Sequence, residues 1–345
     1  MSGERRSRAQ IVLVGAIAIA FIVLGIVVVF NTVLYTENVD GGGSGSIVTE
    51  AAWIQDEVGD SVARMALSSN EGNQTVAELQ SELSRNASNA SILWQESRAQ
   101  AGTAMVNFSF DNDSSQYGAR VFQNDGGPFT AKDTSLNWQV SNESEPADVA
   151  RFSATVNVTT LSPAQATAYH VAVLGTDGSG SYEWRVVRLH NDGGSLDVSV
   201  GNASGGTVGS GPPLGWDDEP ATSTPCDDVA PTGSDIEVNF TAGTVEGSSC
   251  SFDFTDGIEP LDDRGYVIAF RNGIEAQGNY SLVLSHRDYL DSVDGTKVEN
   301  ASTGSPGAGP YYTPIVWRSA VTFQYDSTSL SYRETYTTEV YNSSR

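Results

Sequence analysis

Few residue types in this chain could do chemistry, and their spacing narrows the choice further. The three histidines are His170 in "AYHVAV", His190 beside "NDGG" and His286 after "YSLVLS". None has the spacing of a metal ligand set or of a nucleophile and its base, so each reads as structural. The run "DNDS" (Asp111 to Ser114) offers carboxylates to Ca²⁺ but lacks the glycine and glutamate of an EF-hand, and reads as a solvated turn. No G-x-S-x-G, Walker or dinucleotide glycine motif is present. These absences point away from an enzyme, and no cofactor or metal is expected. The two cysteines, Cys226 and Cys250, are too few for a zinc site and fit a single disulfide outside the cell.

The abundant signal is asparagine. Twelve N-x-S/T sequons occur, at Asn73, Asn86, Asn89, Asn107, Asn112, Asn142, Asn157, Asn202, Asn239, Asn279, Asn300 and Asn342. With 19 asparagines and 69 Ser plus Thr among 345 residues, chance supplies about four. In "VNFSF", "TVNVT" and "IEVNFT" strand alternation sets Asn107, Asn157 and Asn239 opposite apolar neighbours, on a face where a glycan has room.

These residues need a scaffold, and the chain announces one. Before Ile47 the sequence is dominated by a charge-free run of 20 residues, Ile11 to Phe30, whose apolar character continues to Leu34. As a helix it would be about 36 Å long, enough to cross a bilayer. A cleaved secretory signal has a shorter apolar core and a small-x-small site beyond it. Here Ala16-Ile17-Ala18 lies inside the run. Arg5, Arg6 and Arg8 precede it, which sets the N-terminus in the cytoplasm and everything from Tyr35 outside the cell membrane.

The arginine-bearing leader, "RAQ" and the uninterrupted apolar run resemble the class III signals of archaeal pilins and archaellins. The stretch "IVLVGAIAIAFIVLGIVVVFNTVLYTENV" is also similar to the N-termini of haloarchaeal pilin-like membrane proteins. The resemblance covers about the first 40 residues. It implies cleavage after Ala9, with Gln10 as the mature N-terminus, and components of pilus or secretion machinery as partners. A plain single-pass anchor accounts for the same letters without a peptidase.

The expected organisation is a cytoplasmic leader (1–9), a transmembrane helix (10–36) meeting lipid through 11–34, a Gly-rich linker (37–46), a helical region (47–104) and a β-rich ectodomain (105–345). Consecutive glycines in "DGGGSGS" cost about 1 kcal/mol each in a helix, so the first helix should end before them. Ile47, Ala51, Ile54, Val58, Val62 and Met65 then form one apolar stripe. Thr75-x-x-Glu78 is a capping box, and Ile92 to Ala101 suggests a further helix. Trp53 and Trp94 read as packing residues. From Met105 the period becomes two, in "MVNFSF", "RFSATVNVTT", "SYEWRVVRLH", "SLDVSV", "DIEVNFT", "YVIAFR", "YSLVLS" and "IVWRSAVTFQY". Two "NDGG" turns, Asn124–Gly127 and Asn191–Gly194, suit tight hairpins, and Gly201 to Ser234 reads as a long loop. The fold class is α+β with an antiparallel β-sandwich ectodomain, two small β-domains split at that loop being the alternative. The functional expectation is an anchored, N-glycosylated surface protein, a pilin-like structural or accessory component. The alternative is an anchored adhesion module recognising a surface glycan or protein.

Charge bounds the partners. The chain carries 43 acidic and 18 basic residues, only two of the latter being lysine. Beyond the membrane run 42 acids face 15 bases, a net of −27, which repels nucleic acid. This acidic, arginine-over-lysine balance resembles haloarchaeal proteins; molar salt shortens the Debye length to about 3 Å and mutes the self-repulsion. The ectodomain is therefore expected to melt at a higher temperature in about 3 M than in about 0.1 M salt. A midpoint unchanged across that range would remove the argument.

Overall fold

The computed structural model describes residues 43–101, 104–204, 223–261, 264–302 and 309–341. The leader and the apolar run, 1–36, lie outside the described residues, as do Asn342 and most of the 37–46 stretch. Among the described residues no helix is long and apolar enough to cross a membrane.

Helix α1 spans Gly43–Ser69 and α2 spans Val76–Ala101. Two expectations are corrected here. Helical backbone begins at Gly43, inside the stretch assigned to the linker, and Ile92 to Ala101 continues α2 rather than forming a separate helix. Ala51, Ile54, Val58 and Val62 are buried as the stripe requires, and Ala66 rather than Met65 takes the next inward place. The capping box forms reciprocally. Glu78 Oε2 accepts from the Thr75 backbone N–H at 2.8 Å, and Thr75 Oγ1 accepts from the Glu78 N–H at 3.3 Å. The Thr75 N–H and the Thr75 hydroxyl, both donating to Glu78 Oε2 at 2.8 Å, hold that carboxyl below its usual range.

Among the described residues fourteen strands follow: β1 (Met105–Gln123), β2 (Trp138–Gln139), β3 (Val149–Asn157), β4 (Tyr169–Thr176), β5 (Tyr182–Asp192), β6 (Ser195–Ser204), β7 (Ser223–Val229), β8 (Asp235–Asn239), β9 (Thr244–Val245), β10 (Val267–Arg271), β11 (Gly278–Leu284), β12 (Glu299–Asn300), β13 (Tyr311–Asp326) and β14 (Ser331–Glu339). A short helix, α3 (Asp288–Ser292), sits between β11 and β12. One sheet has the order β12-β13-β1-β11-β3-β8-β9, with β14 on β13; the other runs β2-β10-β4-β5-β6-β7. The described pairings are antiparallel apart from β12 on β13.

One face of each sheet feeds a common core, which makes the pair a sandwich. Phe152, Val156, Val238 and Leu282 come from the first sheet, and Val171, Val187, Val198 and Phe270 from the second. Aromatic contacts run through it from Phe240 to Phe152 (ring centroids 4.2 Å apart), to Phe270 (5.9 Å), to Tyr280 (5.8 Å) and to Phe129 (5.1 Å). Strands on both sides of the 201–234 stretch interleave: β8 pairs with β3, and β10 with β4. A division into two β-domains at that stretch is thereby excluded. Nor is it all loop, since β6 extends to Ser204 and β7 lies within it.

Of the two "NDGG" turns, only the second closes a hairpin. Asp192 pairs with Ser195, with Gly193 and Gly194 at φ 62° and 106°, the left-handed region that glycine alone enters freely. After Asn124–Gly127 the chain instead leaves β1, whose neighbours are β11 and β13.

The chain divides into two compact units. Of the described residues, the smaller holds 43–58, Leu93–Asn107 and Phe323–Glu334. In it Ile54, Val58, Val106 and Phe323 are fully buried, Arg98 pairs with Glu50 at 2.9 Å, and the Tyr332 hydroxyl donates to Gln55 at 3.0 Å. Trp94 is half-buried, with the Arg98 guanidinium over its ring. Trp53, expected to pack, is instead exposed.

The larger unit holds Gly59–Ile92, Phe108–Thr322 and 335–341. There Asn70, in the turn between the helices, behaves like a strand neighbour for β13. Its amide donates to Val316 O at 2.9 Å and accepts from Val316 N at 2.8 Å. Cys226 and Cys250 are bonded, with Cα atoms 5.2 Å apart. Cys226 lies on β7, at one edge of its sheet, and Cys250 follows β9, at one edge of the other, so the bond staples two sheet edges. It closes a loop with a separation of 24 residues, worth about 3.5 kcal/mol by the chain-entropy argument. Replacing both cysteines with serine should cost about 2–4 kcal/mol in chemical denaturation at molar salt. A cost below about 0.5 kcal/mol would show that the staple constrains nothing.

Candidate functional site

Strand alternation does to the sequons what the sequence predicts. Val106, Phe108 and Phe110 are buried while Asn107 is exposed. Val156 and Val158, and likewise Ile236, Val238 and Phe240, are buried around half-buried Asn157 and Asn239. Of the twelve sequon asparagines all but Asn342 are described, and none of these eleven is buried.

Which end of each amide is engaged separates them further, because a sugar attaches to Nδ2. Asn157 Oδ1 accepts from the Thr159 N–H and hydroxyl (3.0 and 2.6 Å), and Asn239 Oδ1 from the Thr241 hydroxyl and the Ala242 N–H (3.1 and 2.9 Å). Asn279 Oδ1 accepts from Gly126 N at 3.0 Å. Asn73 and Asn142 likewise bond through oxygen, to Arg120 and to the Glu145 N–H, and Asn107 accepts from Gln95. Asn86 and Asn89 lie on α2, with Asn89 exposed. Asn112 is half-buried on β1. Two others differ. Asn300 donates from Nδ2 to the Tyr312 hydroxyl at 3.3 Å. Asn202 takes the Arg185 guanidinium on its oxygen at 2.8 Å, and its Nδ2 lies against Gly257, where a Cβ would come within 2.9 Å of it.

The "DNDS" run, expected as a turn, lies instead within the strand β1. Asp111 Oδ1 accepts from the Asp113 and Ser114 N–H groups, both at 3.1 Å, and Oδ2 from the Ser114 hydroxyl at 3.2 Å. No cluster of three or more metal-ligating side chains occurs among the described residues. His286 Nδ1 meets the Ser285 hydroxyl at 2.9 Å, but that serine is buried and takes the Asp148 N–H, so no substrate carbonyl could reach it.

Sheet register assembles one constellation that separate readings of the histidines miss. On the face of the six-stranded sheet turned from the common core, Arg271 stands opposite His170, His170 opposite Arg188 and Arg188 opposite Ser199. Beside this row His190 pairs with Asp197 at 3.3 Å. His170, Arg188, Ser199, His190 and Asp197 are all buried. The same face continues as a second apolar cluster of Leu174, Trp184, Val186 and Val267. Burial on both faces is legible in "WRVVRLH", where apolar residues occupy both parities, but the cross-strand row needs the register.

Burial, then the positive charges of Arg188 and Arg271, holds the His170 imidazole down at about 3. The two lysines form a separate clamp. Lys132 pairs with Glu299 at 3.0 Å and Lys297 with Asp133 at 2.7 Å, while Lys132 N donates to Lys297 O at 2.9 Å. Hydrogen bonds from Lys297 and Ser135 hold the Asp133 carboxyl at about 2.

Comparison with protein-family models, curated proteins and solved structures finds no match to this chain.

The folded pKa of His170 lies below its unfolded value, so its neutral form favours folding in full above about pH 6.5, and that contribution fades as pH falls toward 3. Between about pH 7 and about pH 5 it should cost the protein about 2 kcal/mol that a His170→Gln variant does not lose. Equal pH slopes for the two proteins in denaturation at constant salt would contradict this.

Proposed function

We propose that this chain is a membrane-anchored, N-glycosylated surface protein, a pilin-like structural or accessory component held outside the cell by residues 10–36. The observation that carries the reading is the position of the sequons: three times the number chance supplies, with none of the eleven described asparagines buried. A surface rich in Ser, Thr and Asn generates sequons, but it does not require each asparagine to avoid the interior. The charge-free run from Ile11 and the arginines before it supply the anchor and its orientation. A disulfide fits an oxidising compartment.

In this reading the sandwich is a rigid, sugar-coated head and the short leader is its export signal. The sugars would add hydration to a surface whose charges are screened by salt. No step of this role calls for a nucleophile, a metal or a cofactor.

Mass spectrometry of the intact protein from native membranes tests both halves of the reading. Glycopeptides are expected at Asn89, Asn157, Asn239 and Asn279, where Nδ2 makes none of the described bonds, and not at Asn202 or Asn300. The mature N-terminus is expected at Gln10. Bare asparagines throughout would sink the glycoprotein reading, and a chain beginning at Met1 or Ser2 would leave a plain anchor in place of a pilin-like precursor.

A further inference from the structure

Four of the eight large apolar side chains that are exposed among the described residues belong to the smaller unit: Val48 (56 %), Trp53 (57 %), Leu93 (65 %) and Met105 (54 %). On a soluble surface such residues are scattered singly, whereas half of those described fall on this one small body. Leu93 also lines an open cavity of ≈ 470 Å³ with Trp94, Ser97 and Arg98. The ion pair between Arg98 and Glu50 ties α2 to α1 at this level, and Trp53 lies one turn beyond Glu50.

We infer that this face of the smaller unit docks on the bilayer surface, with Trp53 and Leu93 seated at the lipid headgroup boundary. The inference rests on the proposed anchor. What selects lipid is the length of chain between them: Leu34 ends the apolar run, and only Tyr35 to Gly42 separate it from α1. Eight residues reach at most about 28 Å when extended, and Val48 and Trp53 follow within about 15 Å of helix. The face is thus tethered within reach of the membrane at every moment, so docking pays little translational entropy. Tryptophan is the side chain most at home at that boundary, with an apolar body and one N–H for the wet side. Asp56, Glu57 and Glu96 lie in the same unit and oppose an anionic surface, an effect that molar salt reduces to a range of about 3 Å.

Tryptophan fluorescence of the full chain in phosphatidylcholine vesicles, at about 3 M salt, reads this contact directly. Residues 1–42 contain no tryptophan, so quenching by lipids brominated on the acyl chain reports only on the ectodomain. Part of the emission should be lost in brominated vesicles, and that loss should vanish in Trp53→Phe and shrink in Leu93→Glu. Both side chains are exposed, so neither substitution threatens the fold. A chain that floats with the vesicles but is quenched no more than Trp53→Phe overturns the docking while the anchor stands. Failure to float overturns the anchor and the inference with it. A Trp53 emission that shifts with protein concentration in detergent, without quenching in vesicles, assigns the face to a second copy and also overturns it.

Discussion

Everything in the larger unit depends on two sheets burying one face each against the other. The contact runs from Phe240 through Phe152 and Phe270 to Tyr280, with Phe129 brought in from the segment after β1. Phe129 is held by its own backbone, which accepts from the Trp138 indole and donates to Ala276 O. Gly273 passes so near the Phe129 carbonyl that a Cβ there would sit 2.3 Å from its oxygen. Removing one such ring costs about 3–5 kcal/mol, a large share of what a domain has in hand. Such a core fixes which side of each strand faces outward, and hence where asparagines such as Asn157 and Asn239 point.

The scarce cations are used where burial or pairing makes them effective. Exposed ion pairs are worth at most about 1 kcal/mol and less in salt, so the Arg318–Glu339 pair contributes little. The interior pairs are different. Arg185, buried, closes one end of the core by donating to Asp253 O and Asn202 Oδ1. Arg188 is buried beside His170, with half-buried Arg271 on the strand beyond, so screening of Arg188 by solvent is weak. The acidic coat is relieved by salt, whereas a buried group such as Arg188 scarcely feels it.

Much of this was legible in the sequence because short-range rules governed it. The α1 stripe, the Thr75–Glu78 box, the Gly193–Gly194 hairpin and the outward asparagines follow from local periodicity and turn chemistry. What escaped was set by distant partners. The polar half of β1 beyond Asp111 has no alternation, yet it is strand because β11 pairs with Ala119 to Gln123. β7 was hidden in a proline- and glycine-rich stretch and is fixed by pairing with β6. β14, mostly exposed, exists only as a partner of β13. Gly43 enters a helix because the stripe beyond it supplies burial that glycine cannot. The row of Arg271, His170 and Arg188 is invisible for the same reason: three residues from three strands become neighbours only through register.

The place of β1 has a consequence for how such a molecule comes into being. β1 is the first strand made, yet its partners are β11, through pairs such as Ala119 with Leu284, and β13. The sheet therefore cannot close until β11 and β13 have been made, and high contact order of this kind makes folding slow. Throughout that interval β1 has neither of its strand neighbours, and its unpaired backbone edges stand open. Topology thus acts as a timer: the late arrival of β13 sets how long those edges are open to wrong partners before the sandwich shuts.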